Sequence, residues 1–175
     1  MKVLVACEYS GIVRDAFKDK GHEAWSCDIL PPENGGNHIQ DDVLNHLDDG
    51  WDLLIAHPPC TYLSKAGARW LYPKAGQLNQ ERYELGIKGK EFFMRMINAD
   101  IDKIAVENPT PLKVFELPKP TQAVQPYEYG HKYSKRTLLW LKNLPKLEPT
   151  KIISEHTPFL PSNKSNKKRG QKVNK

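Results

Sequence analysis

The chain has 175 residues, with 26 Lys and Arg against 21 Asp and Glu, and hydrophobic residues make up 39%. That length suits one compact domain, and no apolar run reaches the roughly 18 residues that a spanning helix needs. The start, MKVLVACEYSG, turns polar after Cys7, too early for a secretory leader, and Cys7, Cys27 and Cys60 form neither an even disulfide framework nor a zinc-spaced cluster; the expected setting is a reducing cytosol, with no membrane contact and no metal.

Lys2 to Ala6 is a continuous apolar run of strand length, as expected for a strand buried on both faces. After Glu8-Tyr9-Ser10-Gly11, the residues Ile12, Val13, Ala16 and Phe17 recur at helical spacing, and Lys20-Gly21 closes that helix. Glu23 to Cys27 reads as a second strand ending at Asp28. Strand, turn, helix, strand and acid together make half of a nucleotide-binding α/β fold. A Pro/Gly loop over 30–36 and a short segment ending in Asp41-Asp42 come next. Asp52 to Ala56 is another buried strand, which His57-Pro58-Pro59-Cys60 terminates because two prolines stop both helix and ladder. Residues 61–76 look irregular. A helix is expected over Leu78 to Ile97, with Leu78, Leu85, Phe92, Phe93, Met96 and Ile97 on one stripe and Gly86 and Gly89 weakening its middle. Lys103 to Val106 is a short strand expected to stop at Glu107-Asn108-Pro109. Residues 109–135 are rich in Pro and Tyr, and Thr137 to Leu141 is a late strand. This alternation predicts an α/β fold, an open and mostly parallel sheet with helices on both faces. Residues 1–161 are read as one domain.

The charge is uneven. Lys164, Lys167, Lys168, Arg169, Lys172 and Lys175 lie after Ser162 with no acid among them, which leaves 20 basic against 21 acidic residues in 1–161. Residues 162–175 have no apolar periodicity and are expected to be disordered. Such a tail is either a phosphate-contacting arm or a solubilising extension.

In open α/β sheets, ligands bind beyond the carboxyl ends of the strands. Those ends lead here, in chain order, into Cys7 to Gly11, Asp28, Asp42, Pro59-Cys60 and Glu107-Asn108, and Ser134-Lys135-Arg136 precedes the late strand. Each has an ordinary reading: an Asp at a strand end as a turn former, a Cys as a small buried hydrophobe, an Arg as a stem over apolar surface. Their order and spacing repeat a known pattern.

Ala6 to Arg14, Gly21 to Asp28, Asp41-Asp42-Val43, Asp52 to Cys60 with Leu63 to Gly67, Val106-Glu107-Asn108 and Ser134-Lys135-Arg136 together resemble, in order, the motifs of the cytosine-5 DNA methyltransferase family. The Pro-Cys and Glu-Asn segments carry most of the resemblance. It implies a Rossmann-like methyltransferase fold that uses S-adenosyl-L-methionine, with cofactor contacts at Cys7, Gly11, Asp28, Asp42 and Pro58. It implies Cys60 as the nucleophile that adds to carbon 6 of cytosine, Glu107 as the carboxyl that shares a proton with the base, and Arg136 as a cation near O2 or the sugar-phosphate. Glu8 is either a cofactor contact or the partner of a Lys or Arg. The implied substrate is nucleic acid, DNA first, or a nucleotide.

Two departures qualify what the resemblance implies. Only Gly11 remains of the family's glycine cluster, and only 39 residues lie beyond Arg136, too few for the family's target-recognition region. Either a protein partner supplies recognition, or recognition is minimal, or the substrate is a single strand or free nucleotide. A second reading keeps the fold without the reaction, as a nucleic-acid-binding or inhibitory module. The reduced architecture suits a phage or mobile-element protein.

Overall fold

Val3, Leu4, Val5 and Ala6 are completely buried, and they form the central strand β1 (Lys2–Ala6) of a seven-stranded sheet. The computed structural model describes residues 1–159. Successive strands of the sheet are β2 (Glu23–Asp28), β3 (His38–Gln40), β4 (Leu53–Ala56), β5 (Lys103–Pro109), β6 (Gln122–Val124) and β8 (Thr137–Lys142), in the order β3-β2-β1-β4-β5-β8-β6. From β3 through β5 the pairing is parallel, and β8 runs antiparallel to β5. The order 3-2-1-4-5 is that of a doubly wound, Rossmann-like sheet, with its switch point between β1 and β4.

Strand alternation sends side chains to two faces. Val3, Val5, Ala24 and Leu53 pack on one face with Val13 and Phe17 of helix α1 (Ile12–Lys18). Leu4, Ala6, Leu54, Ala56, Ile104 and Val106 pack on the other with Phe93 and Met96 of helix α3 (Gln80–Ile97). The α/β fold with helices on both faces is therefore as the sequence leads one to expect. A four-residue helix, α2 (Ala68–Leu71), lies in the segment read as irregular.

Three details differ from the sequence reading. Helix α3 begins at Gln80 behind an Asn79 cap whose side chain accepts from the Arg82 N–H, so Leu78 lies outside it and is 39% exposed. Gly86 is no mere weakness: a Cβ there would stand 2.1 Å from the Phe115 ring, which is fully buried against the helix. Strand β5 runs on through Glu107, Asn108 and Pro109 instead of stopping there. Antiparallel β8 pairs Glu107 with Leu139, Asn108 with Leu138 and Pro109 with Thr137, carrying the ladder past the end of β4.

The described chain separates into two compact units. The first comprises Met1–Ala123 and Thr137–Lys146; the second comprises Val124–Arg136 and, among the described residues, 147–159. The sequence reading treats 1–161 as one domain and does not anticipate this division. The second unit contains a two-stranded parallel ladder, β7 (Tyr133–Ser134) with β9 (Thr157–Pro158), and a 3-10 turn at Pro126–Glu128. The basic segment 162–175 lies outside the described residues. No described helix is long and apolar enough to cross a membrane.

Candidate active site

The chain leaves β1 through Cys7, whose φ of 58° is left-handed, and turns at once into Glu8. Glu8 is buried, and its carboxylate closes the start of α1: Oε1 accepts from the Val13 N–H at 2.6 Å, and Oε2 accepts from the Arg14 N–H at 3.1 Å. A carboxylate at a helix start meets unpaired amides and the positive end of the helix dipole. Glu8 is thus a capping group, neither of the two roles weighed from sequence.

Gly11 is required twice over. Its φ of 73° is left-handed, and a Cβ there would stand 2.3 Å from Nη2 of Arg14. Arg14 is 1% exposed; it donates to Ser26 Oγ at 3.1 Å, to the Asn34 carbonyl at 3.1 Å and to the Asp15 carboxylate. The bond to Arg14 holds the Asp15 carboxyl below its ordinary range. A Cβ on Gly36 would also press on the guanidinium, at 3.0 Å from Cζ. The guanidinium therefore occupies the space that these glycines leave.

Beyond the ends of β1, β2 and β3 opens a cleft of about 380 Å³. Cys7 and Cys27 line it, with Ile29, Leu30, Val43, Pro59 and Phe92 as apolar walls, Gly89 of α3 at one side, and Asp28, Asp41 and Asp42 as its acids. Asp41 is consumed locally. Its carboxylate accepts from the Asp42 N–H and from His46, which lowers its pKa, while hydrogen bonds to Asp49 first and Asp41 second raise that of His46. Asp28 and Asp42 each use Oδ1 in a local turn, accepting from Leu30 N–H at 2.9 Å and Leu44 N–H at 3.0 Å. Their Oδ2 atoms have no partner among the described residues. Burial first, and then Asp28, pushes the Cys7 thiol up to about 12; burial also raises Cys27, to about 11. Both therefore stay neutral at physiological pH.

Such a cleft fits a nucleoside. Apolar walls suit a base, and a carboxylate oxygen without a partner suits ribose hydroxyls, which donate to it. Of the residues expected to contact a cofactor, Cys7, Asp28 and Asp42 line the cleft, Gly11 does not, and Pro59 borders it rather than Pro58. A second recess of about 310 Å³ lies on the other side of Cys7, lined by Glu8, Tyr9, Ser10, Ile12, Val13 and His57.

Strand β4 ends at Ala56, and the His57 N–H continues its ladder by donating to the Ala6 carbonyl. The Pro58-Pro59-Cys60 turn is fastened from β5. Asn108, completely buried, donates from Nδ2 to the Pro58 carbonyl at 3.2 Å. Past Cys60, the Leu63 and Ser64 amides both donate to the Cys60 carbonyl, and Leu63 and Lys65 bond to Leu112 and Thr110 beyond β5. Cys60 is thus half-buried on a turn held at both ends. Nδ1 of His57 lies 3.7 Å from Oε2 of Glu107, both side chains being about one-third exposed. Two atoms here are buried without a hydrogen-bond partner among the described residues: Nε2 of His57 and Oδ1 of Asn108.

The first unit thus gathers Cys60, Glu107, Asp28, Asp42, Cys7 and Pro58 at the carboxyl ends of its parallel strands. Arg136 is an exposed residue of the second unit. Sequence reasoning passed over His57 and Arg14. The first could have been noticed, because it immediately precedes the Pro-Pro-Cys turn; the burial of the second has no local signature.

No family model and no curated protein matches this sequence. Among solved structures, the chain is similar to the crystal structure of a candidate DNA modification methyltransferase encoded within a prophage of E. coli. The two share 15% identity at a TM-score of 0.45, over 79% of this chain and 45% of that one. This chain thus spans less than half the length of that protein.

Proposed function

We propose that this chain is an S-adenosyl-L-methionine-dependent methyltransferase that acts on carbon 5 of cytosine in nucleic acid, DNA first, through Cys60. One arrangement carries the reading. The Cys60 turn is fastened to the Glu107-Asn108 end of β5 by the Asn108 bond to Pro58, and it stands beside a nucleoside-sized cleft that Pro59 borders.

Carbon 5 of cytosine is a weak nucleophile, so the ring has to be activated covalently. Cys60, as thiolate, forms an Sγ–C6 bond, and the displaced electron pair makes carbon 5 nucleophilic. Charge then develops along the N3 and amino edge. Glu107 donates or shares a proton there, with His57 orienting its carboxyl from 3.7 Å. When bound, S-adenosylmethionine supplies the electrophilic methyl group. Loss of the carbon 5 proton to water and departure of Sγ from carbon 6 restore the aromatic ring and the free thiol. Asp28 and Asp42 accept from the cofactor's ribose hydroxyls and adenine amine, and the apolar walls of the cleft exclude water from its base. Because a stacked base is out of reach of any such pocket, the target must be flipped out or already single-stranded.

The test is incubation of the full chain with methyl-labelled S-adenosylmethionine and duplex DNA, single-stranded DNA, RNA or free cytidine nucleotides. Label recovered as 5-methylcytosine supports the reading. Cofactor binding without label on any of these substrates would leave a cofactor-binding module and defeat it.

A further inference from the structure

The second unit carries a surface that the proposed chemistry does not use. Its strand β7 lies within His131-Lys132-Tyr133-Ser134-Lys135-Arg136, six residues with three cations and no acid. His131, Lys132, Lys135 and Arg136 are all exposed. The segment interleaves charge with rings that meet one another. His131 and Tyr133 have ring centroids 5.4 Å apart, Tyr133 and Phe159 5.1 Å, and Nζ of Lys135 stands 5.7 Å over the Phe159 ring. Phe159 is held here by its own N–H, which donates to the Ser134 carbonyl, and yet remains 53% exposed.

Tyr133 and Phe159 make a ring cluster that stays partly in water, and the rings with the cations beside them narrow the partner. We infer that the segment His131–Arg136 and Phe159 form a binding surface for single-stranded nucleic acid. Unstacked bases lie on Tyr133 and Phe159, and Lys132 and Lys135 meet the phosphates on either side. Base–aromatic stacking tolerates any sequence, because every base presents a π face, and a groove of cations tracks the backbone. A duplex offers phosphates but hides its base faces, so it engages only half of this surface. The remaining charges of the described unit do not reverse the pattern. Lys151 balances one of Glu128, Glu148 and Glu155, and Glu128 already accepts from the Gln125 N–H at 2.7 Å. The inference names the substrate class within the proposed function, and it rests on that reading only for calling the bound strand a substrate.

The test is fluorescence anisotropy with the full chain and an end-labelled single strand of about 20 nucleotides, as DNA and as RNA, against the matching DNA duplex, with no cofactor present. The single strand should bind more tightly than the duplex. Phe159→Ala should weaken single-strand binding roughly tenfold and leave duplex binding within about twofold. The pair Lys132→Ala and Lys135→Ala should flatten the plot of log affinity against log salt by about 1.4, some 0.7 for each phosphate left without its lysine. All three side chains are exposed, and circular dichroism melts check that the variants remain folded. Equal affinity for strand and duplex, or unchanged affinity and salt slope in both variants, would overturn the inference. Because no methyl transfer is measured, those results leave the proposed activity standing. A chain that binds single strands through these residues but methylates nothing would retain the surface and lose the activity.

Discussion

Two glutamates at the same rim of the sheet have opposite environments. Glu8 comes just after β1 and Glu107 stands in β5, with β4 between their strands. Both oxygens of Glu8 are taken by backbone amides of α1, and the side chain is buried. Glu107 is partly exposed, and the group facing its carboxylate is His57, at 3.7 Å. A carboxylate whose lone pairs are filled by its own backbone holds structure together. One left with a titratable neighbour and access to solvent can exchange a proton with a ligand. The same distinction separates Asp41, consumed by Asp42 and His46, from Asp28 and Asp42, which each keep one oxygen for the cleft.

The sharpest break in this comparison comes from the nucleophile beside Glu107. Cys60→Ala should abolish methyl transfer while cofactor binding by calorimetry changes only a few-fold; turnover at the wild-type rate would remove Cys60 from the reaction. The same thiol should dominate alkylation at pH 8. Cys7, raised to about 12, and Cys27, raised to about 11, both stay overwhelmingly protonated at that pH. Mass mapping that found Cys7 labelled first would contradict the raised pKa of its thiol.

Next in size is the contrast between the glutamates themselves. Glu107→Gln should slow transfer by about 10²- to 10⁴-fold with little change in melting temperature. A rate within about twofold of the parent would make Glu107 a structural residue like Glu8. Asp28→Ala and Asp42→Ala should each weaken S-adenosylmethionine binding by about 0.5–1.5 kcal/mol, rising to about 3 where the hydrogen bond is to a charged group. Titrations that show no loss in either folded variant would place the cofactor elsewhere. Glu8→Ala has the smallest consequence for chemistry and a visible one for the fold. Removal of the cap on α1 should cost about 0.5–2 kcal/mol in denaturant melts, with the rate of the folded fraction within about threefold of the parent.

Much of the frame was legible in the chain itself. Continuous apolar runs such as Lys2–Ala6 and Leu53–Ala56 can be satisfied only by burial on both faces, so they announce parallel central strands whatever surrounds them. The Gly21 and Pro58-Pro59 signals are equally local, and the order of Cys7, Asp28, Asp42, Cys60 and Glu107 along the chain comes from strand ends alone. Local pattern cannot specify which distant group answers a polar atom. The antiparallel partner β8 decided that Glu107 and Asn108 lie within β5. Packing of α1 on the sheet decided that Glu8 caps a helix and that Arg14 fills the space left by Gly11 and Gly36. The second unit, too, is assembled from two stretches separated by β8, so its ring cluster of Tyr133 and Phe159 has no signature in either stretch. Burial leaves a periodic record in the sequence because it acts on many neighbouring residues at once. A hydrogen bond or ring contact between residues far apart in the chain leaves none, and only the folded chain brings those partners together.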